Sequence, residues 1–181
     1  TFQKAFFRNA AALVFVAIIM IKNKITPIPK RENLPALFGR AFFGTIGLVS
    51  NFYAIDRLVL ADANMLNKLS PFFAIIFSIF LLKERPTFVQ IFGVLAAFIG
   101  SLFIIKPSMG GYAVFPAAVG ALGGMSAGLA YTFVRFLGRK GENSFRIIFF
   151  FSAFSCLVCI PFMVMNFEPF TFKSFIFLIL A

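Results

Sequence analysis

The chain has no histidine, only six acidic residues and two cysteines in 181 positions. These absences remove most enzymatic chemistry. Without histidine, an HExxH segment or a phosphate-cradling glycine loop, the sequence offers no metal centre and no general acid/base pair, so an enzyme is excluded and no cofactor is expected. Cys156 and Cys159 have CxxC spacing but lie inside an apolar run with no further soft ligand nearby, and read as small hydrophobes rather than a redox or metal pair. The start lacks the basic segment, short apolar core and small-residue cleavage site of a signal peptide. It also lacks an initiating Met, and the chain stops within the apolar string FIFLILA, so a piece of a longer protein is expected.

Charge is scarce as well. Charged residues make up 13% of the chain and hydrophobic ones 61%, with mean hydropathy +0.97, against about 45–50% apolar in an ordinary soluble domain. A helix needs about 20 apolar residues to cross a bilayer core, and uncharged runs of that length fill nearly the whole sequence. They are apolar all round rather than alternating, which excludes a membrane β-barrel and leaves helices, the other way to satisfy backbone polar groups in lipid. The fold expected is an all-α polytopic transmembrane bundle. Its runs fall at about 5–21, 34–55, 58–82, 87–105, 112–136 and 145–165, with a seventh opening near 171.

The remaining charge is strongly basic, seventeen Lys and Arg giving a net +11. In a soluble protein this would suggest nucleic acid, but the bases cluster in the gaps between apolar runs and lack interleaved aromatics, so no nucleic-acid partner is expected. If every span reverses direction, the loops after the first, third and fifth carry ten bases: Lys22, Lys24, Lys30, Arg31, Lys83, Arg85, Arg135, Arg139, Lys140 and Arg146. The other side carries five, and Arg40 and Lys68 lie within spans. That bias assigns the ten to the cytoplasm and Thr1 to the far side.

Small residues repeat every four positions in two spans, Gly93, Ala97 and Ser101 in the fourth and Gly120, Gly124 and Gly128 in the fifth. Such ladders let helix backbones approach closely and read as packing seams, with glycine hinges of a moving gate the alternative. A shift of 143 residues lays Phe6-Phe7 on Phe149-Phe150, Ala10 on Ala153 and Met20 on Met163. Five spans of separation would make these copies opposite in orientation, the inverted repeat of secondary transporters.

Charge inside a span costs about 2.5–3.5 kcal/mol on insertion scales and needs a reason. Lys68 lies near the middle of the third run, in ADANMLNKLSPFF. On a continuous helix Asn64, Asn67, Lys68 and Pro71 share one face, a polar stripe that must meet other helices or a water-filled cavity. The stripe is read as a substrate path, with Lys68 attracting an anionic group; its structural alternative is a lysine paired with a carboxylate or with carbonyls freed by Pro71. Asn51 and Tyr131 are further substrate-binding candidates, with Tyr53, Ser126 and Thr132 weaker. Asp62 reads as an end-of-span residue, Arg8 as a snorkelling one, and Glu84 as neutralising neighbouring bases or the next helix start.

From Arg40 to Pro107 the strings RAFFGTIGLVSNFYAI, LADANMLNKLSPFFAIIFSIFLLKER and TFVQIFGVLAAFIGSLFII follow one another in order. FFRNAAAL precedes them, and GLAYTFVRFLGRK follows. This ordered set resembles the EamA-type repeat of the drug/metabolite transporter superfamily over essentially the full chain. The resemblance implies a ten-helix inverted-repeat transporter in the cytoplasmic membrane. Residues 1–107 would be most of the first repeat, spans two to five of the family, and 108–181 the start of the second. Asn67-Lys68 departs from the apolar residues usual there, which argues against a generic hydrophobic drug. The function expected is a secondary carrier for a small anionic metabolite working by alternating access. The alternative is a non-transporting module that packs on partner helices through its glycine seams. A metabolite and the lipid bilayer are the partners expected, with a homodimer open.

Overall fold

The computed structural model describes residues 2–105 and 114–165. Its helices are α1 (Phe2–Lys22), α2 (Leu34–Arg57), α3 (Leu60–Asn67), α4 (Ser70–Leu82), α5 (Phe88–Ile105), α6 (Val114–Arg139) and α7 (Ser144–Met165). A single 3-10 turn, Arg31–Asn33, leads into α2, and no strand occurs among the described residues. The Lys106-Pro107 and Gly110-Gly111 closure and the seventh apolar run lie outside them.

Local chemistry sets the boundaries. Pro35 and Pro71 stand in the first turns of α2 and α4, where the missing N–H costs no intrahelical bond. α6 ends in a left-handed Gly141 (φ 69°), with Gly141 N–H donating to Gly138 O and Glu142 N–H to Leu137 O, a Schellman closure. Lys24 and Lys83 take the same left-handed backbone after α1 and α4.

The third apolar run is not one helix. α3 stops at Asn67 and α4 resumes at Ser70, because Pro71 has no N–H for the Asn67 carbonyl and its ring crowds that turn. Lys68 N–H still bonds Asn64 O, but Leu69 N–H reaches only Leu66 O and Phe72 N–H only Leu69 O. The continuous face expected for Asn64, Asn67, Lys68 and Pro71 is therefore interrupted. By length and composition four stretches can cross a membrane: Ala5–Lys22, Leu60–Leu82, Val114–Arg139 and Ser144–Pro161. α5 adds a shorter apolar stretch, Phe88–Gly100, and α2 carries Arg40, Asn51, Asp56 and Arg57 along its length.

α6 is the centre of the packing, touching α2, α3 and α4, while α1 pairs with α7 and α7 also with α2. α2 and α6 run antiparallel, Leu37 packing near Leu137 and Ala54 near Gly120. Their backbones interlock in the middle: a Cβ at Gly47 would lie 3.0 Å from Ala127 N, and one at Gly123 would lie 2.9 Å from Ser50 Cβ. The expected seam on α6 is present and is filled from within the chain. Gly120 faces Leu66 and Ala54, Gly124 the Leu66 carbonyl, and Gly128 Ser70 O and Phe73 Cβ. On α5 an added Cβ at Gly93 meets nothing within 4 Å among the described residues; α5 touches α3, and its Phe98 lies edge-on to Phe72 of α4 at 5.0 Å.

α1 and α7 are antiparallel, with Ala5 beside Cys159 at one end and Arg146 bonding Thr26 O at 3.0 Å at the other. Cys156 and Cys159 are buried free thiols packed as small apolar groups.

Candidate functional site

The basic loops meet at one end of the bundle. Glu84, after α4, forms ion pairs with Arg135 at 2.9 Å and Arg139 at 2.6 Å, both on α6. The bases it neutralises are thus far along the chain, not its neighbours Lys83 and Arg85. Glu142 is nearly sealed, its side chain 1% exposed, and pairs with Arg146 and with Asn33 Nδ2 at 2.6 Å. Burial pushes the Glu142 carboxyl up, but hydrogen bonds from Asn33 and Arg146 and the Arg146 charge outweigh it and hold it below the usual 4.5. A depressed carboxyl stabilises fully above its unfolded pKa and loses that as pH falls through its folded one. Glu142→Gln should therefore cost about 1.5–3 kcal/mol at neutral pH. In melting curves that deficit should stay flat down to about pH 4.5 and vanish only below it; a deficit that fades between pH 7 and 5 would refute the assignment.

Deeper in the bundle α1, α2, α3, α6 and α7 enclose a cleft of about 150 Å³. One face of α2 forms its floor, Arg40, Gly44, Gly47 and Asn51 recurring at helical spacing over about 16 Å of rise. Arg8 enters from α1, Asn67 from the end of α3, Tyr131 from α6 and Phe151 from α7. Arg40 lies over the Phe151 ring, Cζ 4.2 Å from the centroid, and occupies the space a Cβ at Gly44 would need. Its Nε is buried and has no hydrogen-bond partner among the described residues. The Arg8 guanidinium stands 5.6 Å over Phe52. No carboxylate lines the cleft among the described residues.

Of the candidates read from sequence, Asn51, Asn67 and Tyr131 come together here. Lys68 and Asn64 do not line the cleft; Lys68 is exposed where α3 ends, and Asn64 is half-buried. The helix break is the reason. Arg8 leans on α2 and lines the cleft instead of simply reaching for the interface, and Arg40 is the central charge that sequence reasoning passed over. Asp62 is buried, 5% exposed, in a second cavity of about 260 Å³ lined by Leu58, Met65, Leu66, Leu69, Phe98 and Ala117. Thr132 donates to Gly128 O at 3.0 Å and also reaches Ala74 O of α4 at 3.3 Å, so its hydroxyl serves helix packing and does not line the cleft. No group of residues suited to a metal occurs among the described residues.

Residues 1–106 match the EamA-like transporter family. The chain belongs to that family. It is 36% identical over 163 residues to the pseudopaline exporter CntI of Pseudomonas aeruginosa strain UCBPP-PA14, covering 90% of this chain and 56% of the relative. It is 24% identical over 156 residues to an uncharacterized transporter of Helicobacter pylori strain J99, covering 86% and 52%. It is 31% identical over 102 residues to solute carrier family 35 member G1 of Mus musculus, covering 56% and 27%. This EamA-family chain spans about half the length of the bacterial relatives. No solved structure matches it. The family is one of membrane transporters, not enzymes.

Proposed function

We propose that the chain carries the substrate cleft of a secondary exporter for a small anionic metabolite, in a cytoplasmic membrane, working by alternating access between two inverted repeats. The observation that carries this is the cleft with two arginines and no carboxylate among its described lining residues. Two cations in a cleft whose described lining offers no counter-ion favour an anionic occupant, and Asn51, Asn67 and Tyr131 add hydrogen bonds to its polar parts. The direction is taken from the pseudopaline exporter, a relative matched over most of this chain. The inverted repeat is supported by the antiparallel contact of α1 and α7, whose bounds Phe2–Lys22 and Ser144–Met165 nearly coincide under the 143-residue shift. On this reading six helical layers cross the bilayer, α3 and α4 together making one broken span, and residues 1–107 and 108–181 fall in different repeats.

The test is counterflow in membrane vesicles carrying the native protein, with matched organic anions, neutral amides and organic cations. Saturable movement of anions only is expected. Transport of cations with anions excluded would overturn the proposal. Lys68→Met should retain most of the anion flux, since Lys68 stands outside the cleft.

A further inference from the structure

Two arginines in one cleft could grip a single carboxylate or two separate ones, and the way each is seated decides between them. Arg40 is fixed at the level of Gly44, pressed into the space beside that glycine and stacked on Phe151 from α7. Arg8 comes from a different helix and is seated on Phe52. Gly44 and Phe52 are eight residues apart on α2, about 12 Å of helix rise. Between the two seats the cleft is lined by small and apolar groups, Gly47, Leu48, Ala127 and Ala130, together with the amide of Asn51. A planar guanidinium fork saturates one carboxylate by itself, so two forks on separate platforms match two anionic groups better than one. The charge count agrees, since the described lining offers two positive charges and no negative one.

We infer that the substrate carries two separate anionic groups joined by a short linker, one group held by Arg40 over Phe151 and the other by Arg8 over Phe52. This rests on the anion-export reading and sharpens it to a class, a dianionic organic acid. Asn51 and Tyr131 then face the linker, where an amide or hydroxyl would meet them. A monoanion of equal length would leave one guanidinium without a partner, and that loss sets the discrimination.

The experiment measures binding to the purified native protein in nanodiscs, by ligand-induced melting shift and by competition in vesicle counterflow. The probes are linear dicarboxylates of three to eight carbons, each paired with its monoamide. At one preferred length the dicarboxylate should bind at least tenfold tighter than its monoamide. Arg8→Gln and Arg40→Gln should each abolish that preference while keeping monoamide binding within about threefold, and Arg8→Lys and Arg40→Lys should keep part of it. The lysine variants and the ligand-free melting curves separate this from misfolding. If no length distinguishes acid from monoamide in the native protein, the inference is overturned. If, in addition, either glutamine change removes all anion flux, both arginines grip one group and the simpler anion reading survives. If neither arginine change alters anion flux, the anion reading falls as well.

Discussion

Gly128→Ala is expected to cost about 3 kcal/mol, the upper end for overpacking, and to remove most of the folded protein from a detergent extract. The added methyl would stand 2.6 Å from Phe73 Cβ, 2.7 Å from Ser70 O and 2.9 Å from Ala74 N. Two of those atoms are backbone, at the start of α4, so relief requires that helix to move away from α6. A shift of about 6–12 °C in melting temperature follows for a chain of this size. Gly93→Ala is the control, the same substitution in a ladder of the same spacing. No atom of the described residues lies within 4 Å of its added Cβ, and the helix gains about 0.5–1 kcal/mol of propensity. Equal behaviour of the two variants in thermal melts would show that α6 does not bear on the α3/α4 break as described.

Arg40→Ala should lower transport about 10- to 100-fold, the loss of about 1.5–3 kcal/mol from one charged hydrogen-bonded contact with the substrate. The same change should raise the melting temperature of the ligand-free protein. Arg40 keeps a buried Nε with no hydrogen-bond partner among the described residues, a desolvation cost that truncation removes. A structural arginine would behave oppositely, its loss lowering stability and flux together. Arg40→Lys should fall between, because an ammonium keeps the charge but lacks the planar group that Arg40 places over Phe151 and presents no fork. Counterflow and melting curves on the three proteins decide the matter, and a destabilised Arg40→Ala would contradict the role given to Arg40.

Helices were legible from uncharged runs because length and polarity set them directly: α1, α2, α5 and α7 lie within a few residues of the runs at 5–21, 34–55, 87–105 and 145–165. The break at Lys68-Leu69 was not, since run length is blind to a missing N–H, although Pro71 stood in view. The break also divides the polar stripe read around Lys68, and of that stripe only Asn67 lines the cleft. The floor of the cleft was readable in principle, as Arg40, Gly44, Gly47 and Asn51 recur at helical spacing within a single run. Arg8 and Phe151 come from helices distant in sequence, and no local pattern couples them to Arg40. The glycine ladders make the same point: spacing identifies a surface that can pack, but among the described residues the glycines of the α6 ladder have close neighbours and Gly93 of the α5 ladder has none.

The two glutamates at the basic end differ in how much water reaches them, and this separates their responses to ionic strength. Glu84 is held by Arg135 and Arg139, whose side chains are 52% and 56% exposed, so mobile ions can compete for both partners. Screening shortens from about 8 Å at physiological salt to about 3 Å at 1 M. Glu142 and Arg146 are 1% and 14% exposed and are screened far less. Concentrated salt should therefore loosen the tether between α4 and α6 while the tie from Asn33 to Glu142 holds. One end of this molecule thus has a salt-labile fastening beside a salt-resistant one, and the electrolyte acts on the turn after α4 while the packing of α4 on α6 at Gly128 stays in place.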